Sequence, residues 1–148
     1  MAQNPAPITA PTCGQVPRPG AKIEAVGIVV PARNQSQAIA ECILRIFAAN
    51  SFSGWHTSLW IVVVADACTD ATAKVARNAL GAFGQVLEVA AHSQQMAHLI
   101  GTRAVLEHFR HVPRHGLIIA SANANTKLNR DWIDTQLRCA DSPLGLRA

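Results

Sequence analysis

From residue 23 onward the chain alternates between two apolar rhythms. "AVGIVV" is a short, continuous apolar run closed by Pro31, and it predicts a buried strand. Next, Ile39, Cys42, Ile43, Ile46 and Phe47 recur at steps of three and four. That is the period of a helix with one apolar face. Asn34 or Ser36 is placed to cap this helix, and Gly54 marks the turn after it. "SLWIVVVA" reads as a second strand. Its continuous apolar character predicts a central position, covered on both faces. "TDATAKVARNALG" follows as a helix capped by Thr69 or Asp70, with Val75, Ala79 and Leu80 inward and Gly81 as its stop. "QVLEVA" is a third strand. Residues 94–109 form a third helix, expected to bury Met96, Leu99, Ile100 and Leu106. "GLIIAS" is a fourth strand, and Asn129 is placed to cap a last helix carrying Trp132, Ile133 and Leu137.

Strand and helix therefore alternate four times. This order predicts an α/β fold, Rossmann-like, with a mostly parallel sheet and helices on both faces. Right-handed crossovers collect every strand-to-helix loop on one edge of such a sheet. Ligands bind there, outside the carboxyl ends of the strands. The edge gathers residues 31–35, 66–69, 91–94 and 121–127, and three of these four loops are rich in hydrogen-bonding side chains. The last one, in "GLIIASANANTKLNRDW", carries two asparagines one residue apart, Asn123 and Asn125. The expected domain spans 23–141. A Pro-rich tail over 1–22 precedes it, with five of the eight prolines plus Gly14 and Gly20, and 142–148 is expected to fray.

Composition narrows the function classes. The 148 residues are 49% apolar and 15% charged, which suits one domain with a real core and argues against disorder. The net charge of +4 is scattered without a Lys/Arg run, so no nucleic-acid partner is expected. Four cysteines at 13, 42, 68 and 139 make no C-x-x-C pair, which predicts free thiols and a cytoplasmic location. No apolar run is long enough to span a bilayer, and no basic, apolar secretory leader is read at the start. His108, His111 and His115 lie close together, but Pro113 interrupts them, and a basic helix end is expected rather than zinc. Cys68 sits at a helix start without a partner base. Asp131 and Asp134 open the last helix, where dipole and cap roles are expected. The G-x-G-x-x-G and G-x-x-x-x-G-K signatures are missing.

Two segments together carry a resemblance. "IVVPARNQSQAI" followed by "IVVVADACTDATAKVA" resembles the family 2 glycosyltransferases of the GT-A fold. In that family the first strand ends in P-x-R-N-E and the second in D-x-S/C-T-D-x-T. The counterparts are Pro31, Ala32, Arg33, Asn34 and Gln35, then Asp66, Ala67, Cys68, Thr69, Asp70, Ala71 and Thr72. "ASANANTKLNRDWI" is similar to the family's D-A-D-T segment. The likeness covers residues 24–140 and implies the N-terminal, nucleotide-binding half of a GT-A domain. It also implies a nucleotide-diphospho-sugar donor, UDP- or GDP-linked, and transfer of its sugar to an acceptor.

The resemblance implies roles residue by residue. The loop of Pro31, Ala32, Arg33, Asn34 and Gln35 would cradle the nucleoside, and Asp66 would accept a hydrogen bond from the base. Asn123 would lie on the ribose and Asn125 at the metal position, where the family holds Mg²⁺ or Mn²⁺ on the diphosphate. Such hard cations want anionic oxygens, and both family carboxylates are amides here. A charge pair at ~4 Å is worth about 4 kcal/mol at an effective dielectric near 20, so losing it weakens a divalent site. Gln35 stands for a family Glu and Ala65 for an acid. His98 stands for an arginine of the third helix and would donate to phosphate. Lys127 could add a point charge there. The chain ends at Ala148, before the family's acceptor segments, and no residue is assigned as catalytic base. The expectation is a donor-binding domain inactive alone, with a free sheet edge that would suit a homo-oligomer. The alternative is a non-catalytic relative acting as a weak nucleotide-binding or protein-interaction module.

Overall fold

A computed structural model describes residues 22–141. The tail expected over 1–22, apart from Lys22, and the C-terminus over 142–148 lie outside the described residues. The elements are β1 (Ala25–Ala32), α1 (Ile39–Ser53), β2 (Ser58–Asp66), α2 (Thr72–Leu80), β3 (Gly84–Val89), α3 (Gln94–His108), a 3₁₀ turn (Arg114–Gly116), β4 (Leu117–Ser121) and α4 (Trp132–Asp141). The four strands form one parallel sheet in the order β3-β2-β1-β4. This is the expected α/β, Rossmann-like architecture.

β1 and β2 occupy the centre, and their continuous apolar sequence follows from that position. Val26, Ile28 and Val30 of β1, with Ile61 and Val63 of β2, enter one core with α1, α2 and α4. Ala25 and Val29, with Val62 and Val64, enter a second core against α3. A strand buried on both faces has no polar side to alternate with. Pro31 does not end β1, which runs on to Ala32 opposite Ala65. The reason is directional. Val29 turns its carbonyl toward the β4 side, where Ala122 N–H donates to it at 3.0 Å. Pro31, two residues on, faces the same side beyond the last paired position of β4, Ser121. Its missing N–H has no ladder partner to lose.

α3 departs from expectation in the face it buries. Met96 and Leu99 are 47% and 52% exposed. Ile100 and Leu106 are half-buried, and the fully buried residues are Ala97, Gly101 and Val105. Close approach explains the choice. A Cβ on Gly101 would collide with Val29 Cγ1 and lie 3.0 Å from Val64 Cγ2. A Cβ on Gly27 would collide with Val105 Cγ1. The helix lies so near the sheet that each close contact needs a glycine on one side, Gly101 against Val29 and Gly27 against Val105. Apolar size therefore misidentified the contact face.

The caps also differ. α1 starts after Ala38, and neither Asn34 nor Ser36 caps it. Asn129 meets α4 through its backbone carbonyl, which accepts from Trp132 N–H at 3.0 Å. Ser93 is the side-chain cap of α3, accepting from Met96 N–H at 3.1 Å. Gly54 does end α1, in the left-handed conformation at φ 71°. Cys42 and Cys68 are free thiols, but Cys139 is disulfide-bonded, which corrects the expectation of free thiols throughout.

Candidate functional site

At the carboxyl edge of the sheet the four strand-to-helix loops surround a cleft of about 370 Å³. β1 and the loop after it bring Pro31, Ala32, Arg33 and Gln35 to its wall. Asp66 ends β2 and forms the floor. His92, Ser93, Gln94 and Ala97 come from the start of α3, and Asn123 and Asn125 from the loop after β4. The chain crosses here from one side of β1 to the other, since β2 and β3 lie on one flank and β4 on the other. This is the switch point at which open α/β sheets place their ligands.

Asp66 is 4% exposed. Its Oδ1 accepts from Ala91 N–H at 2.7 Å and His92 N–H at 2.8 Å, and its Oδ2 accepts from Ser93 N–H at 2.9 Å. Burial by itself would raise its pKa. The N–H groups of His92, Ser93 and Ala91, with the His92 ring nearby, outweigh burial and hold the carboxyl below its ordinary value. One buried carboxylate thus fixes the whole β3–α3 loop.

A second set of bonds joins the loops after β1 and β2. Asn34 Oδ1 accepts from Thr69 N–H at 2.8 Å and from the Thr69 hydroxyl at 3.3 Å. Asn34 N–H donates to Cys68 Sγ at 3.3 Å. Gln35 N–H donates to Thr72 Oγ1 at 2.8 Å, and Ser36 N–H to Asp70 Oδ2 at 3.2 Å. Asp70 also accepts from the Thr72 hydroxyl and, at 3.0 Å, from its N–H. The hydroxyl of Thr72 chiefly lowers the Asp70 pKa, to about 2. Ala71, not Thr69 or Asp70, is the N-cap of α2, and it has no side-chain cap bond; Asp70 instead accepts from Thr72 in the first turn while also gripping the neighbouring loop.

Three residues outside glycine adopt positive φ among the described residues: Asn34 at 52°, Ala67 at 54° and His92 at 52°. All three sit in loops of this edge. Asn tolerates that conformation, but Ala and His do so at a cost of order 1–3 kcal/mol. Strain of this kind persists only where surrounding bonds over-determine it, and the two sets above supply those bonds.

The loop after β4 is held from α1. Cys42 Sγ–H donates to the Asn123 carbonyl at 3.8 Å, and Arg45 reaches the Leu128 carbonyl at 3.4 Å. Burial pushes the Cys42 thiol up to about 11, so it stays protonated as a donor. Asn123 Oδ1 accepts from Asn125 N–H at 2.9 Å, a local Asx turn. Behind it, Trp55 Nε1–H donates to Asp134 Oδ1 at 2.9 Å and Arg138 Nε–H to Oδ2 at 2.7 Å, anchoring α4. Asp134 thus has specific partners beyond a helix-dipole role.

Of the expected nucleotide residues, Pro31, Ala32, Arg33, Gln35, Asp66 and Asn123 come together at the cleft, and so does Asn125. Asn34 serves the inter-loop bonds instead. His98 is half-buried on α3 and outside the cleft wall, as is exposed Lys127. His92, Ser93, Gln94 and Ala97 were missed as individual site residues. For His92, Ser93 and Gln94 the signal was positional, the polar "HSQQ" in the loop between a strand and a helix.

The donors do not fit the Mg²⁺ or Mn²⁺ of the resemblance. Asn123 and Asn125 offer neutral amides, and the Asn123 oxygen is already an acceptor. The Asp66 oxygens both hold backbone N–H groups. Among the described residues no group of three or more His, Cys, Asp or Glu could hold a metal ion. The histidines of 108–115 form none either. His108 instead stacks on Trp60, ring centroids 3.7 Å apart.

The fold and the site define an α/β domain with an open cleft at its topological switch point. No helix among the described residues is long and apolar enough to cross a membrane. Comparison with known protein families gives no matching family model, and comparison with curated proteins gives no match.

Proposed function

We propose that this chain is a glycosyltransferase-like nucleotide-binding domain that holds a nucleotide-diphospho-sugar, UDP- or GDP-linked, and does not turn it over alone. One observation carries the reading. Pro31, Arg33 and Gln35 from the end of β1, Asp66 from the end of β2 and Asn123 beyond β4 line a single cleft at the switch point. Its volume of about 370 Å³ falls in the range of small-ligand sites. Arg33 offers a planar fork of donors suited to phosphate.

The carboxylate chemistry of the described cleft wall argues against turnover. Transfer to an acceptor hydroxyl needs a base to take its proton. Asp66 is the sole carboxylate on the described cleft wall. It is committed to three N–H groups and its pKa is depressed, so it is a poor base. The two amides also favour the second reading, a non-catalytic module that keeps the nucleoside pocket without the diphosphate chemistry.

Calorimetric titration of the folded chain with UDP, GDP and their hexose conjugates tests this. Saturable binding is expected, weakened about tenfold or more in Arg33→Ala. No heat with any nucleotide, from a chain whose circular dichroism shows it folded, would overturn the reading.

A further inference from the structure

Resting on that reading, we infer that the cleft takes the anionic end of its nucleotide directly on Arg33, with no divalent cation between them. The inference starts from the donors. A Mg²⁺ or Mn²⁺ ion bridging two phosphates needs protein oxygens with negative charge, because it must give up tightly held water to bind. Asp66 is the one carboxylate among the described residues of the wall, and its two oxygens already accept from Ala91, His92 and Ser93 at 2.7 to 2.9 Å. Freeing one would release a buried N–H and undo the β3–α3 loop. Asn125 and Asn123 bring dipoles in place of charges, and the Asn123 oxygen points back at Asn125 N–H. Among the described residues of the wall, no anionic donor remains for a metal.

The charge balance of the wall points the same way. With Asp66 internally satisfied, the free permanent charge facing the cleft among the described residues is the guanidinium of Arg33. It can meet phosphate oxygens in a bidentate pair, the task a cation would otherwise perform. A bound metal beside Arg33 would face repulsion from it and no compensating carboxylate. The ligand class is thus a nucleoside phosphate bound as its free anion. A site of this kind discriminates little between chelated and unchelated forms, whereas a site built on carboxylates requires the chelate.

The test separates this inference from the reading beneath it. Mn²⁺ alone is titrated into the chain and followed by its electron paramagnetic resonance signal. UDP is then titrated calorimetrically with EDTA or with Mn²⁺. The wild-type chain is expected to leave the Mn²⁺ signal unchanged and to bind UDP within about twofold under both conditions. The double variant Asn123→Asp/Asn125→Asp, at two exposed positions, is expected to capture Mn²⁺ and to bind UDP at least tenfold more tightly with Mn²⁺ than with EDTA. The single variant Asn125→Asp gives the same direction if the pair misfolds. Mn²⁺ capture by the wild-type chain, or a tenfold gain in its UDP affinity with Mn²⁺, would overturn the inference while leaving nucleotide binding intact. Absence of UDP binding under both conditions would overturn the proposed function. The metal-alone titration would still decide the cation question.

Discussion

Asp66 shows how much one side chain can organise. It bridges the end of β2 to three successive N–H groups that would otherwise be orphaned at the mouth of the cleft. Because its folded pKa lies below the ordinary value, the carboxylate stabilises the fold above about pH 4, its unfolded range. That contribution is lost as pH falls through the folded pKa. Asp70, held at about 2, acts with the same sign in the same acid window. Asp66→Asn keeps the size but points an N–H₂ group at a backbone donor. Urea unfolding at pH 7 is expected to show a loss of about 2 kcal/mol. The gap from wild type should be narrower at acid pH, shrinking from about pH 4 as the unfolded-state carboxylate protonates and further as pH falls through the lowered folded pKa. An equal gap at both pH values would mean that the charge is not what the loop requires. The sequence made Asp66 visible as an acid ending a strand. It did not reveal that its partners lie 25 to 27 residues further on, because no local pattern encodes a contact of that span.

The same limit separates what was legible among the elements from what was not. All four strands and four helices follow from apolar period and breakers, since those signals are local and strong. The turn motif Cys68-Thr69-Asp70-Ala71-Thr72 carried part of the resemblance, yet none of it lines the cleft. Thr72 is fully buried, and with Asp70 and Thr69 it ties the loop after β1 in place. A motif that carries a resemblance can thus be scaffold. α3 illustrates the remaining gap. Its binding face is chosen by how near the helix comes to the sheet, and small residues report that distance only once the sheet is known. Gly101→Ala should therefore destabilise, even though alanine favours an isolated helix by ~1 kcal/mol. The new methyl collides with Val29, and overpacking of this type costs roughly 1–3 kcal/mol. Met96→Lys or Leu99→Lys, on the exposed face, should change stability by no more than about 0.5 kcal/mol. Chemical denaturation of the three variants checks the contrast. A large loss at Met96 or Leu99 with none at Gly101 would reverse the assignment of faces.

At the scale of the whole molecule, the cleft is a seam where separate parts of the chain meet. Its walls come from the ends of β1 and β2, the start of α3 and the loop after β4. Two of those walls are braced by bonds spanning about 35 residues, and a third by Asp66. A ligand seated there touches all of them and binds only the folded arrangement. Occupancy must therefore stabilise the native state by mass action, about 2.7 kcal/mol at a ligand concentration one hundred times Kd. For a domain of this size that corresponds to a rise in Tm on the order of 10 °C. Thermal melts with increasing UDP or GDP should show the rise, and it should grow with the logarithm of concentration. Arg33→Ala, exposed and outside both sets of loop-joining bonds, should leave the ligand-free Tm unchanged and shrink the ligand-dependent rise. Asp66→Asn should lower both, because it loosens the wall as well as the fold. A rise that persists fully in Arg33→Ala would place the nucleotide elsewhere on the surface. The pair of variants thus distinguishes a residue that holds the ligand from one that holds the site.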